Sequence, residues 1–144
     1  MSNTPEISRS GPERLLFPRS HHLKRKRLIE PLFNRNDRSV RSVAAGSVRM
    51  VFRLVQKSEA EVSASFQIGV AVGRSSGSAV TRNRIKRVIL EAIRLNQIVL
   101  QQLTNRQEMV LTVMVIFRGK ASDLSETPQD VARCLENLKR ELNK

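Results

Sequence analysis

Ala79-Val80-Thr81-Arg82-Asn83-Arg84-Ile85-Lys86-Arg87-Val88-Ile89 threads four cations and one amide through the start of an apolar helical repeat. At about 100° per residue, Val88, Ile89, Ala92, Leu95, Asn96, Val99 and Leu103 fall on one broad arc with Ile85, so the spacing predicts a single long helix with that arc buried. Asn83, Arg84, Arg87, Glu91 and Arg94 collect on the opposite side, with Arg82 and Lys86 flanking them. Two readings of the charged face are open from the helix alone. It is either a solvated basic face on an ordinary amphipathic helix or a surface for a polyanion.

Three wider features favour the polyanion. The first is bulk charge: 26 Lys and Arg stand against 13 Asp and Glu, a net charge of +13 with a pI near 11.5 on 144 residues. Such a surface attracts phosphates at long range and holds them by releasing their counterions, so binding weakens with salt. Membrane lipid is the rival polyanion. It is disfavoured because no apolar run approaches the roughly 20 residues of a spanning helix and the basic helix lacks an aromatic-edged apolar face. The second feature is localisation. From Arg19 to Arg53 ten basic residues face two acids, and from Arg74 to Arg94 the ratio is six to one. From Gly119 to the end five bases face five acids, the pattern of a scaffold. The two basic regions are expected to converge on one ligand.

The third feature is what the chain lacks. Its histidines are His21 and His22 and its one cysteine is Cys134, which leaves no set for a zinc site and no disulfide. Gly69, Gly73 and Gly77 do not make a Walker or Rossmann phosphate loop, so no small-molecule substrate is expected. Asp123, Glu126 and Asp130 form the one acidic cluster, at a loop entering a helix, where helix capping is favoured over metal binding. No catalytic residue and no cofactor held by the protein itself is expected. Scarce cysteine and the lack of an export signal predict a cytoplasmic protein.

Residues 1–20 are polar, carry Pro5, Pro12 and Pro18, and are expected to be a disordered or loosely docked tail. Residues 21–144 read as one RNA-binding domain. Leu23 to Asn34 can form a short helix with Leu28, Ile29, Leu32 and Phe33 as its apolar set, either kinked at Pro31 or beginning only near it. After a polar link from Asn34 to Ser42, Val48, Met50, Phe52 and Leu54 alternate with Arg49, Val51, Arg53 and Val55, a strand with both arginines on one face. Val62 to Val72 alternates likewise, and the polar turn Lys57–Glu61 predicts an antiparallel hairpin between the two strands. Met109 to Phe117, almost wholly apolar, reads as a central strand buried on both sides. Thr127-Pro128-Gln129-Asp130 predicts a capped helix start, with Val131, Leu135, Leu138 and Leu142 at helical spacing. The order gives an α+β sandwich with most helices on one face.

The string AVTRNRIKRVILEAIR resembles the signature helix of the bacterial ribonuclease P protein subunit. The likeness extends to Phe17-Pro18-Arg19, a basic segment ending in Phe33, Phe66-Gln67-Ile68-Gly69-Val70-Ala71-Val72, and Arg118-Gly119-Lys120-Ala121 with Asp123-Leu124. The resemblance implies a four-stranded sheet with three helices, a ribosomal protein S5 domain 2-like fold with a left-handed β-α-β crossover. It implies as partners the ribonuclease P RNA and precursor tRNA, with removal of the tRNA 5′ leader catalysed by the RNA subunit and its magnesium ions. By the same resemblance, Arg82, Asn83, Arg84, Lys86 and Arg87 contact the RNA subunit, and Arg94 joins that set from its place on the charged side of the helix. Ile29, Phe33, Arg49, Phe52, Arg53 and Arg74 form the groove for the leader, with Phe52 and Arg53 as alternatives for one strand position. Core packing is favoured for Phe52 and Phe66 over base stacking. The chain departs from the family at Ser75, where a second lysine is usual, at Leu90, where an arginine is common, and at Pro31. The alternative is a non-catalytic ribosomal or RNA-chaperone protein, which would share the charge and the helix without needing the groove.

Overall fold

The computed structural model describes residues 19–62, 64–103 and 108–143. Four strands, β1 (Arg41–Ala45), β2 (Val48–Gln56), β3 (Phe66–Val72) and β4 (Met109–Phe117), form one mixed sheet in the order β1-β2-β4-β3. The helices are α1 (Lys26–Ile29), which continues as a 3-10 turn over Glu30–Phe33, α2 (Lys57–Ala60), α3 (Ala79–Leu95), α4 (Gln97–Leu103) and α5 (Thr127–Leu142). The chain is thus α+β. The first 18 residues of the expected tail lie outside the described residues; just after that segment, Leu23 N–H donates to Ile68 O at 2.9 Å, covering the outer edge of β3.

β4 holds the interior slot. Leu111, Val113 and Val115 face one core and Val110 and Met114 the other, so this strand buries both faces only with strands on either side. It pairs antiparallel with β2 and parallel with β3. The predicted hairpin between Val48–Val55 and Val62–Val72 is therefore wrong. β4 separates those strands, and the Lys57–Glu61 segment is one turn of helix that ends with Glu61 in the left-handed region, φ 58°. The later strand also begins at Phe66; Val62 packs against the opposite core from Phe66 and Ile68. Period two identifies a strand, but not its neighbour.

The partner of β2 is β1, which the sequence reading passed over. Val43 pairs with Met50 and Arg41 with Phe52 across a two-residue turn, with Gly46 at φ 54° in the place where a type II′ hairpin takes glycine. A Cβ on Gly46 would collide with the Asp130 carboxylate, so this turn is pressed directly onto the start of α5.

The larger core lies between one sheet face and α3, α4 and α5, with Ile85, Ile89, Ile93, Leu100, Leu135 and Leu138 wholly buried. The smaller core lies under α1 and α2, around Leu28, Leu32, Val51 and Val55. The single long helix predicted from Ile85 to Leu103 is broken. α3 ends at Leu95, the Asn96 side chain donates to Ala92 O at 2.7 Å, and α4 starts afresh at Gln97. The phase shift puts Leu100 in the core and leaves Leu95, expected to be buried, 68% exposed.

Candidate nucleic-acid interface

Cross-strand register places Arg49, Ile116 and Ala71 in one row across the sheet, on the face opposite α3 and α5. α1 and α2 cover the neighbouring rows through Val51, Val55, Val110 and Met114. The Arg49 end of the face stays open. There the 3-10 turn after α1, the loop that follows it, and β1, β2 and β4 enclose a groove of about 510 Å³.

Pro31 builds the near wall. At the start of the 3-10 turn its missing N–H leaves no donor unmet, and the tighter turn buries Leu32 while turning Phe33 outward, 51% exposed. Phe33, Arg35 and Arg49 all line the groove, so an exposed aromatic ring and cationic residues share one hollow. Arg35 was counted in the basic run but not assigned a role. Its signal was its place two residues after Phe33, in a loop whose Asn34 and Asp37 side chains accept N–H bonds two residues on and hold the bend. The Ser39 hydroxyl and amide, with Arg53 adding a smaller effect, hold the Asp37 carboxyl below its ordinary range.

The other residues assigned to the groove fall in four places. Arg53 is on the groove-side face of β2, mostly buried, 3.9 Å from Asp37, and its Nε has no hydrogen-bond partner among the described residues; it supports the loop from below. Ile29 is half-buried against the smaller core and does not line the groove. Arg74 is exposed just beyond the end of β3, in the 3-10 turn that leads to α3, and does not line the groove. Phe52 is misplaced. It points to the other side of the sheet, 1% exposed in the larger core, with the Arg41 guanidinium 5.2 Å from its ring centroid.

α3 starts with Ser78, whose Oγ accepts the Thr81 N–H at 3.3 Å. Asn83, Arg84, Lys86 and Arg87 are exposed and have no ion-pair partner among the described residues; Arg82 is half-buried with its Nε unpartnered. Arg94 differs from them. Its guanidinium grips Glu91 at 2.6 and 3.0 Å and is only 17% exposed, and this bond both lowers the Glu91 pKa and raises that of Arg94. Its charge is already matched, so it adds little to the cationic face. Leu90 is half-buried on α3. The two basic regions expected to converge thus lie on opposite faces of the sheet, with Arg74 at the connection from β3 to α3 between them.

Cys134 is buried, and burial pushes its thiol up to about 11, so it is an inert packing residue. Among the described residues no three His, Cys, Asp or Glu side chains gather as a metal set, and no helix is long and apolar enough to cross a membrane.

The sequence profile of the ribonuclease P family matches residues 17–142. The chain belongs to that family. A ribonuclease P protein component from Brevibacillus brevis is 35% identical over 75 residues, a stretch that spans 52% of this chain and 52% of that relative. The ribonuclease P fold is shared as well. A structure of the ribonuclease P protein from Staphylococcus aureus matches with a TM-score of 0.57 at 21% identity, covering 83% of this chain and 95% of that one. A second structure of the Staphylococcus aureus protein matches with a TM-score of 0.50 at 17% identity, covering 88% and 92%.

Proposed function

We propose that this chain is the protein subunit of a ribonuclease P holoenzyme, in which it binds the catalytic RNA through α3 and the single-stranded 5′ leader of precursor tRNA in the groove. The observation that carries this reading is the groove itself. An exposed phenylalanine in a hollow that arginines also line offers a stacking surface and backbone charge together, a combination that grips a single strand with little dependence on sequence. Endonucleolytic cleavage is assigned to the RNA, with magnesium ions bound there. The protein contributes affinity and position: it holds the leader on one face and the RNA subunit on the other, so the scissile bond is presented at a fixed place.

The test is cleavage of labelled precursor tRNA by a bacterial ribonuclease P RNA at low magnesium, with and without the protein. Restored cleavage at the correct 5′ site is expected. RNA binding without restored cleavage, including with the source organism's own RNA, would instead favour a ribosomal or chaperone role.

The groove makes a separate prediction. Phe33 is half-exposed, so Phe33→Ala should leave the urea midpoint almost unchanged while weakening leader-bearing precursor by about tenfold, within the roughly 1–3 kcal/mol of a base–aromatic stack. Mature tRNA should bind as before. Equal losses for both RNAs would remove Phe33 from the leader path.

A further inference from the structure

The outer side of α3 carries a second concavity, on the face of the sheet away from the groove. Val88, Ala92 and Leu95 of α3 and Pro128 at the start of α5 floor a shelf of about 440 Å³. Leu95 is 68% exposed there. Arg84 and Arg87 form one rim, and neither has a hydrogen-bond or ion-pair partner among the described residues. Glu91 stands on the rim too, with its charge balanced by Arg94.

We propose that this shelf receives one unstacked base of the RNA subunit, with Arg84 and Arg87 on the phosphates beside it. The inference rests on the proposed contact of α3 with that RNA. Charge selects the occupant: Arg82, Arg84, Lys86 and Arg87 stand within six residues without an acid between them, on a chain of net charge +13, so the partner on this face is a polyanion. Shape then selects the kind of RNA. A paired A-form helix presents phosphates and 2′-hydroxyls and keeps its base faces stacked inside, so it cannot fill an apolar hollow. A base splayed from a bulge, loop or junction can, laying its face on Leu95 and Val88 while its backbone crosses the two guanidiniums. The Glu91 carboxylate adds an acceptor that an amino-bearing base edge can use.

The experiment probes base reactivity along a bacterial ribonuclease P RNA with the full chain bound, and measures affinity across a salt series. One unpaired base should be protected by the wild type. Leu95→Ala, at an exposed position, should re-expose that base and weaken binding about fivefold to tenfold, without changing the slope of log affinity against log salt. Leu95→Phe should keep the protection. Arg84→Ala should flatten the slope by about one unit. If Leu95→Ala changes neither affinity nor base reactivity while Arg84→Ala still flattens the slope, the shelf is overturned and the α3 contact stands. An unchanged slope in Arg84→Ala removes the contact and the shelf with it. Loss of self-association by Leu95→Ala, with RNA binding intact, would give the shelf to a second copy of the chain and overturn the base.

Discussion

Phe52→Ala is expected to destabilise the protein by about 3–5 kcal/mol, the range for emptying a phenylalanine site in a packed core. The ring is 1% exposed and lies among Met50, Phe66, Val113 and the helix residues of the larger core. The Arg41 guanidinium lies 5.2 Å from the ring centroid and also donates to Glu141 O at the end of α5. Losing the ring therefore opens a cavity and removes the surface that orients Arg41. Domains of this kind have a total stability of about 5–15 kcal/mol, so a fifth of it or more should disappear. The measurement is urea unfolding of wild type and variant, read as a fall in midpoint with the slope held. At low temperature and without urea, where the variant is still folded, its preference for leader-bearing over mature tRNA should match the wild type. A stable Phe52→Ala that lost that preference would place the ring in the groove after all. Phe33→Ala should behave in the opposite way on both counts, which makes the pair a direct assay of which sheet face meets the leader.

The side on which Phe52 lies was legible from the sequence. Strand alternation puts Val48, Met50 and Phe52 on one face and Arg49, Val51 and Arg53 on the other, so no single surface of β2 can present Phe52 together with Arg49. The candidate groove combined them because the family likeness carried residues over one at a time, without imposing the pleat. The cationic start of α3, the disturbance of the first helix around Pro31, the central place of β4 and the approximate start of α5 were legible too, since each follows from local periodicity or from a proline; the expected Thr127 cap was not met, because Glu126 takes the N-cap place without a side-chain bond and Asp130 turns to Ser47. Strand order was not. β3 pairs with β4 only after the chain has passed through α3 and α4, and nothing local to either strand records that choice. β1 was missed because its five residues include two alanines and one valine and offer little alternation. The Gly46-Ser47 turn was its best signal. The break at Asn96 was hidden by an apolar arc that happens to continue in phase across it. What stops the helix is one side chain bonding back to Ala92 O, an effect of a single residue that periodicity averages away.

Asp130→Ala should remove about 3 kcal/mol, although the residue touches no part of the proposed RNA surfaces. Asp130 is 4% exposed in the first turn of α5. One carboxylate oxygen accepts the Ser47 backbone N–H at 2.9 Å and the Ser47 hydroxyl at 2.8 Å, and the other accepts from Arg133. Thr127 Oγ lies 2.9 Å from the same Ser47 hydroxyl. Truncation leaves the buried Ser47 donors unmet and removes a charge from the positive end of the helix, and buried groups stranded in this way cost about 1–3 kcal/mol each. Burial alone would raise the Asp130 pKa, but the Ser47 amide and hydroxyl and the Arg133 guanidinium outweigh it and hold the carboxyl below its ordinary value. A depressed folded value gives the sign: the contribution is complete above the ordinary carboxylate pKa of about 4 and is lost as pH falls through the lower folded value. Asp130→Asn should therefore have a flatter acid limb than the wild type, with its deficit in urea midpoint largest near neutrality and shrinking below pH 4. A deficit constant across that range would show that shape rather than charge makes the clamp. The consequence reaches the proposed site through the hairpin. Ser47 closes the turn between β1 and β2, and these strands carry Ser42, Arg49 and Val51 of the groove wall. Loosening the clamp frees that wall from α5, so Asp130→Ala should weaken leader-bearing precursor more than it weakens the RNA subunit, whose proposed contact is on the other side of the sheet.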